Sequence, residues 1–400
     1  MSVDEVTILR TLQQSPELLE LISEITPAER LNQRRLRERF PDELVRAGLV
    51  LFEARHAAAG KLPAAERLWL TRTGLEQSTA WEVAQHKAQR FSGCGEIFDL
   101  CSGIGVDAHA LANVSETVAV TAVDSDPAMS LRCEWNQHVW RPKGSLTCRT
   151  ADVLEEPWER AIVHVDPDRR AGTDRPVKRL EQYVPNLDWM QKLTSIAAGG
   201  AIKVGPASNF LQKFPGCEIE LISLNGECRE ATIWFGELAG PCSFRATVLP
   251  SGQTISVEPL SVWAEQASDC EAWIFDPDPA VVRSGMLDAV AEQCGLRRLD
   301  PEEEYLTGRS CSSSPFVSAF QIEAVLPNQV SELRKYLRAA PSAWYEIKCR
   351  RIPVKADVLQ KQLPRGDGAP RVIFFARVGG RARIVVAVRV SASTEVVSGP

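Results

Sequence analysis

The 400-residue sequence has no Cys-x-x-Cys pair among its eleven cysteines, and its five histidines (His56, His86, His109, His138, His164) do not cluster. Neither set shows metal-ligand spacing, which argues against a metal site. No apolar run reaches the roughly 18 residues that a membrane helix needs. Met1-Ser2-Val3-Asp4-Glu5 lacks a basic stretch ahead of an apolar one, so it does not read as a secretory signal. There is no internal repeat and no long low-complexity tract. A net charge of -6 excludes a uniformly basic nucleic-acid coat. The scattered cysteines read as reduced thiols, and the protein as cytoplasmic.

What is present centres on Ile97-Phe98-Asp99-Leu100-Cys101-Ser102-Gly103-Ile104-Gly105-Val106-Asp107. An apolar run ends in Gly-x-Gly and passes into a helical pattern, which predicts a strand, a tight loop and a helix start. Glycine allows the sharp turn and a close backbone approach to a ligand. Val118–Val123 reads as a second strand ending in Asp124, a carboxylate placed to accept ribose hydroxyl protons. Gly103-x-Gly105-x-x-Ala108 also passes as a relaxed dinucleotide fingerprint.

Residues 1–75 read as a helical region, with Val6-Leu9-Leu12 and Leu18-Leu19-Ile22 at helical spacing. Arg30, Arg34, Arg35, Arg37 and Arg39 make a basic face, read as solvated. Thr71–Ala80 and a helix through Trp81 to Phe91 read as a cap and a packing helix. Their lead into the loop strand would also let them fold over its pocket. From 76 to 245, strands at 96–101, 118–124, 146–151, 161–166, 200–205, 218–224 and 230–236 alternate with helices, predicting a mainly parallel Rossmann-like sheet of seven strands. Asn225-Gly226 predicts a closing hairpin. Gly240-Pro241 and Pro250-Ser251-Gly252 mark a further short β-hairpin. Residues 246–318 read as that hairpin plus a small unit, and 319–392 as a basic α+β domain. From 346 to 389, eleven Lys and Arg face only Glu346, Asp357 and Asp367. Such an excess is the footprint of a polyanion-binding module, or else a solvated face.

Ligands of open α/β sheets bind beyond the carboxyl ends of the strands. Here those ends carry Asp99, Asp124, Asp152 and Asp166-Pro167-Asp168-Arg169-Arg170. The series fits S-adenosyl-L-methionine. Gly103 and Gly105, with Ser102 beside them, would lie against its methionine part. Asp124 would take the ribose hydroxyls, Asp152 would accept from the adenine amino group, and Asp99 would hold the ammonium directly or through water, with Ser125 and Val153 also cofactor-binding. Asp166 could accept from an acceptor amine, and Arg169 and Arg170 could clamp a phosphate.

The sequence resembles the class I S-adenosylmethionine-dependent methyltransferases, and more narrowly the bacterial family with a C-terminal THUMP-like domain. The residues carrying this are Thr71–Thr79, Asp99–Asp107, Val123-Asp124-Ser125-Asp126-Pro127, Val165–Arg170, Lys203-Val204-Gly205-Pro206 and Glu230–Gly236. The resemblance implies a ferredoxin-like unit near 270–318 and a THUMP-like unit near 320–392. It points to structured RNA as substrate, held through the region of Lys348, Arg350, Arg351, Lys355, Arg377, Arg381 and Arg383. Amine-directed members resemble Asp/Asn-Pro-Pro-aromatic at strand four. Here Asp166 and Pro167 are followed by Asp168, Arg169 and Arg170, so a stacking ring would come from Tyr183, Trp189 or Phe210. The catalytic residues expected are Asp166, Pro167, Arg169 and Arg170, with no metal and no membrane. Two rival readings are a methyltransferase of a small molecule or protein, and an inactive RNA-binding protein that keeps the cofactor pocket.

Overall fold

The computed structural model describes residues 4–26, 33–170, 177–258 and 261–390. The chain divides into two compact units, residues 1–218 with 230–241, and residues 219–229 with 242–400.

In the first unit, helices Glu5–Gln13, Pro16–Glu24 and Asp42–Ala58 pack through Leu9, Leu12, Leu18 and Ile22. A Cβ on Gly48 would stand 2.7 Å from Ile22 Cδ1, so glycine lets the helices approach. Of the expected basic face, Arg30 lies outside the described residues. Arg34 pairs with Glu38 and Arg37 with Asp42, so part of that face is neutralised locally.

Six strands of this unit are β1 (Glu96–Leu100), β2 (Ala119–Asp124), β3 (Ser145–Thr150), β4 (Ile162–Val165), β5 (Gly199–Val204) and β7 (Glu227–Gly236, from Glu230 on). They run β3-β2-β1-β4-β5-β7. All neighbours are parallel except β5 and β7. Strand order reverses at β1 and β4, so their carboxyl ends open a crevice. β6 (Glu218–Leu224) precedes β7 and turns into it through Asn225 and Gly226, both at positive φ. The expectation of seven strands needs correction. Within the second unit, β8 (Phe244–Leu249) lies parallel to β6 and β9 (Gln253–Ser256) is antiparallel to β8, two strands beyond those expected. The sequence of β8 ends in four buried residues, which require a neighbour.

The helix after β1, Val106–Ala112, is buried along its length. His109 stacks on Trp81 and meets Trp140 at a tilt, at ring-centroid distances of 5.3 and 5.1 Å. It is 3% exposed, and its Nδ1 has no hydrogen-bond partner among the described residues. Burial lowers its pKa from the ordinary value to about 4. Between about pH 6.5 and 4 the unfolded chain therefore binds a proton that the folded chain refuses. Stability should fall through that window as pH drops, by roughly 3 kcal/mol. Urea unfolding across the window checks this. His109→Gln should flatten the slope, and a variant as steep as the wild type would discard the assignment.

The second unit holds a sheet of seven strands: β10 (Trp273–Pro277), β11 (Arg297–Arg298), β12 (Leu306–Gly308), β13 (Val317–Pro327), β14 (Tyr345–Cys349), β15 (Arg371–Val378) and β16 (Arg381–Arg389). Their order is β11-β12-β10-β13-β16-β15-β14. The separate ferredoxin-like unit near 270–318 is therefore not present as such. β10 pairs with β13 from Trp273↔Gln321 to Pro277↔Val317, so the expected boundary at 318/319 runs through one sheet. Strand alternation gives this sheet two cores. Phe320, Phe374, Val385 and Tyr305 form one, and Leu333, Leu337, Leu359, Phe375 and Ile384 the other, beneath helices Val330–Ala339 and Ala356–Gln362.

Candidate active site

The carboxyl ends of β1, β2 and β4 and the segment after β3 open a cleft of about 370 Å³, within the range of small-ligand pockets. After Leu100 the backbone turns through Cys101, Gly103 and Gly105, all at positive φ. The two glycines do different work. A Cβ on Gly105 would overlap Cys133 Sγ and lie 3.2 Å from Cys133 Cβ, so Gly105 lets helix Pro127–Trp140 pack under the loop. A Cβ on Gly103 would meet nothing within 4 Å, because that face opens on the cleft.

Asp124 lines the cleft and ties it together. Its Oδ2 accepts from Gly103 N–H at 2.8 Å and its Oδ1 from Asp126 N–H at 2.9 Å. Burial pushes its pKa up, against those two hydrogen bonds. Two lone pairs remain on the carboxylate for a ligand. Asp152 caps its own turn, accepting from Leu154 N–H at 2.9 Å. Ser102, Ser125, Asp152 and Val153 all line the cleft.

Asp166 follows β4 and also lines the cleft. Its Oδ2 accepts from Lys203 Nζ at 2.6 Å, and the same ammonium donates to Gln77 O at 3.0 Å. Pro167, Asp168 and Arg169 line the cleft, but Arg170 does not. Arg170 pairs with Glu76 at 2.8 Å, so the two arginines do not form one clamp. Asp168 accepts from Gln77 Nε2 at 2.7 Å. Through Gly74, Gln77 and Ser78, the segment before helix Trp81–Gln89 forms one wall of the cleft. Tyr183 and Phe210 are buried core, and neither they nor Trp189 lines the cleft. The Tyr183 hydroxyl shares a 2.5 Å hydrogen bond with Ser208.

Asp99 is not where the sequence reading put it. It is fully buried, absent from the cleft lining, and 2.6 Å from His164 Nδ1. Burial pushes its carboxyl up, against the His164 hydrogen bond. Sequence reasoning missed Lys87, Thr79, Asp107 and Lys203 as a supporting set. Thr79, Asp107 and Lys203 belong to the motifs that carry the family resemblance. Lys87 gave no signal, because burial of a lysine on a helix face depends on distant carboxylates.

Two proteins of Mycobacterium tuberculosis, from strains CDC 1551 / Oshkosh and ATCC 25618 / H37Rv, are 32% identical over 343 residues, covering 81% of this chain and 90% of the relative; each is described as an uncharacterized S-adenosylmethionine-dependent methyltransferase. The chain belongs to the S-adenosylmethionine-dependent methyltransferases. The crystal structure of a Porphyromonas gingivalis W83 protein, provisionally named a methyltransferase, matches with TM-score 0.78 at 20% identity, over 97% of this chain and 99% of that one. It shows the same fold. A THUMP domain-like family model matches residues 317–389.

The cleft of this methyltransferase fits the family's methyl donor. The open face of Gly103 and the spare acceptors of Asp124 are the fitting observations. Among the described residues, no group of three or more His, Cys, Asp and Glu could hold a metal. No described helix is long and apolar enough to cross a membrane.

The basic residues of the THUMP-like region are less free than their count implies. Lys348 pairs with Asp276 and Glu346, Arg350 with Asp276 and Glu304, and Arg351 with Glu304, at 2.6–3.0 Å. Arg377 stands 3.7 Å from Glu302. Strand register puts Arg381 opposite Val378 and Arg383 opposite Ala376, on one sheet face, with Arg377 opposite Ala382 on the other.

Proposed function

We propose that this methyltransferase transfers the methyl group of S-adenosyl-L-methionine to a base of structured RNA, at an exocyclic amine. The observation that carries the acceptor chemistry is Asp166. Its Oδ2 is held by Lys203, its Oδ1 has no hydrogen bond among the described residues, and the residue lines the cleft. That oxygen can accept from an amine N–H and align the nitrogen lone pair with the methyl carbon. The donor supplies an activated methyl on a sulfonium. Displacement forms the N–C bond and breaks the S–C bond, and the amine proton then leaves to Asp166 or water. Arg169 has no ion pair among the described residues and lines the same cleft, where it can hold a backbone phosphate. Gln77 fixes the wall opposite by bonding Asp168. RNA as the acceptor is supported by the THUMP domain-like match over 317–389 and by Lys355, Arg381 and Arg383, which have no ion pair among the described residues.

The pairing of Lys348, Arg350 and Arg351 favours a second reading, in which the acceptor is a small molecule or a protein. One experiment decides between them. The protein is incubated with tritiated S-adenosyl-L-methionine and a bacterial extract fractionated into RNA, protein and metabolites. Label should enter RNA and be released by ribonuclease. Asp166→Ala, which removes the accepting oxygen, should lower the transfer rate about 100-fold. Label in protein or metabolites alone would overturn the RNA reading, and an unimpaired Asp166→Ala would overturn the role of Asp166.

A further inference from the structure

The buried charges behind the cleft make an unusual set. Lys87 is 1% exposed, and its three protons have three acceptors: Asp107 Oδ1 at 3.0 Å, Glu230 Oε1 at 3.0 Å and His164 Nε2 at 3.2 Å. An ammonium only donates, so His164 Nε2 accepts. His164 Nδ1 therefore carries the ring proton and donates it to Asp99. This accounts for Asp99, whose carboxylate is committed to His164 behind the sheet end rather than to the cleft.

Asp107 is different. It is buried yet lines the cleft. Its Oδ2 accepts from Thr79 Oγ1 at 2.5 Å. Each of its oxygens keeps one lone pair. Burial alone would raise the Asp107 carboxyl, but Lys87 foremost, then His164, Lys203 and the Thr79 hydroxyl, outweigh it and hold the group below the usual carboxylate range. With His164 neutral, Lys87 is set against the carboxylates of Asp99, Asp107 and Glu230, so the buried set is net negative and favours a cationic ligand group at its open end. The position of that charge is defined by the sheet. Asp152 follows β3 and Asp124 ends β2, while Asp107 Oδ1 lies 3.8 Å from His164 on β4. Asp152, Asp124, Gly103 and Asp107 all line the one cleft, so a ligand held at Asp124 and Asp152 shares it with the Asp107 carboxylate.

We infer that Asp107, not Asp99, receives the α-ammonium of the methyl donor's amino-acid end, with Lys87 and Thr79 as positioning residues. The inference rests on the cofactor identity. It assigns recognition of the amino-acid end to the helix after β1, with the segment before β1 supplying the positioning residues Thr79 and Lys87.

The test is calorimetric titration of the full chain with two probes. S-adenosyl-L-homocysteine carries the amino-acid end, and 5′-methylthioadenosine lacks it. Asp107→Asn should weaken the first about 30-fold and leave the second within about 2-fold. Thr79→Val, which keeps the charge and loses the orienting hydroxyl, should weaken the first about 3-fold with the second unchanged; it serves if Asp107→Asn fails to fold. Equal weakening of both probes would overturn the assignment. So would a selective loss in Asp99→Asn in place of Asp107→Asn. If the wild type binds neither probe, the cofactor identity fails with it, and that outcome is distinct from the other two.

Discussion

Lys87→Met should destabilise the first unit by about 3–5 kcal/mol, the usual result of removing one partner from a buried ion set. Methionine fills much the same space, so the loss is electrostatic rather than a cavity. It leaves Asp107 and Glu230 buried without the ammonium that each faces at 3.0 Å, and it removes the donor to His164 Nε2. The pH dependence identifies the cause. In the wild type, burial would lower the Lys87 pKa, but Asp107 and Glu230 outweigh it and raise the value. A raised basic group stabilises fully below its unfolded pKa and loses that contribution only as pH rises through the folded one. Asp107, held low, stabilises above its unfolded pKa and loses that only in strong acid. The wild type therefore keeps this contribution from about pH 5 to 9. In the variant the unpaired carboxylates rise in pKa instead. The folded state then takes up protons that the unfolded state releases, so the deficit should shrink as pH falls from 8 to 5. Urea denaturation of both proteins at those pH values measures it. A loss under 1 kcal/mol, or a deficit independent of pH, would refute this account.

Gly105→Ala should be the next most damaging change, at about 3 kcal/mol. At φ +87° an L-residue costs about 1–2 kcal/mol, and forcing a methyl against Cys133 adds an overpacking cost of about 1–3. The consequence extends to the ligand. Helix Pro127–Trp140 and the loop must move apart, and a shift of the loop disturbs the hydrogen bond from Gly103 N–H to Asp124. Gly103→Ala provides the contrast. Its φ of +54° is strained, but its Cβ meets no protein atom within 4 Å. It should cost only about 1 kcal/mol of stability while obstructing the cleft. Thermal melts and titration with S-adenosyl-L-homocysteine separate the two. Gly105→Ala loses stability and affinity together, and Gly103→Ala loses mainly affinity. Equal melting temperatures for the two variants would contradict the division of labour.

The parts of the fold that the sequence made legible are those specified locally. An apolar run followed by Gly103 and Gly105 is enough to place β1, its turn and its helix. Val118–Val123 before Asp124 is enough to place β2. The same local logic misplaced Asp99. It reads as a strand-end carboxylate, but it sits one residue inside β1, where alternation turns its side chain onto a sheet face beside its register neighbour His164. Only the pairing of β1 with β4 reveals that, and periodicity cannot supply a pairing. Charge counting failed similarly between 346 and 389. The window sees eleven cations, but two of the carboxylates that neutralise Lys348 and Arg350, Asp276 and Glu304, lie outside it. Those residues lie tens of positions earlier in the chain.

The shared sheet of the second unit also bears on how this protein can be cut. The family match begins at residue 317, the first residue of the eleven-residue strand β13. The first half of that strand is hydrogen-bonded to β10, upstream of the match. A fragment starting at 317 would carry the whole matched region and still present Val317–Gln321 as a raw edge, with unpaired N–H and C=O groups beside the apolar Phe320. Such an edge is a template for a second chain. The homology boundary is thus not a folding boundary, and a fragment that respects the first would aggregate for want of the second.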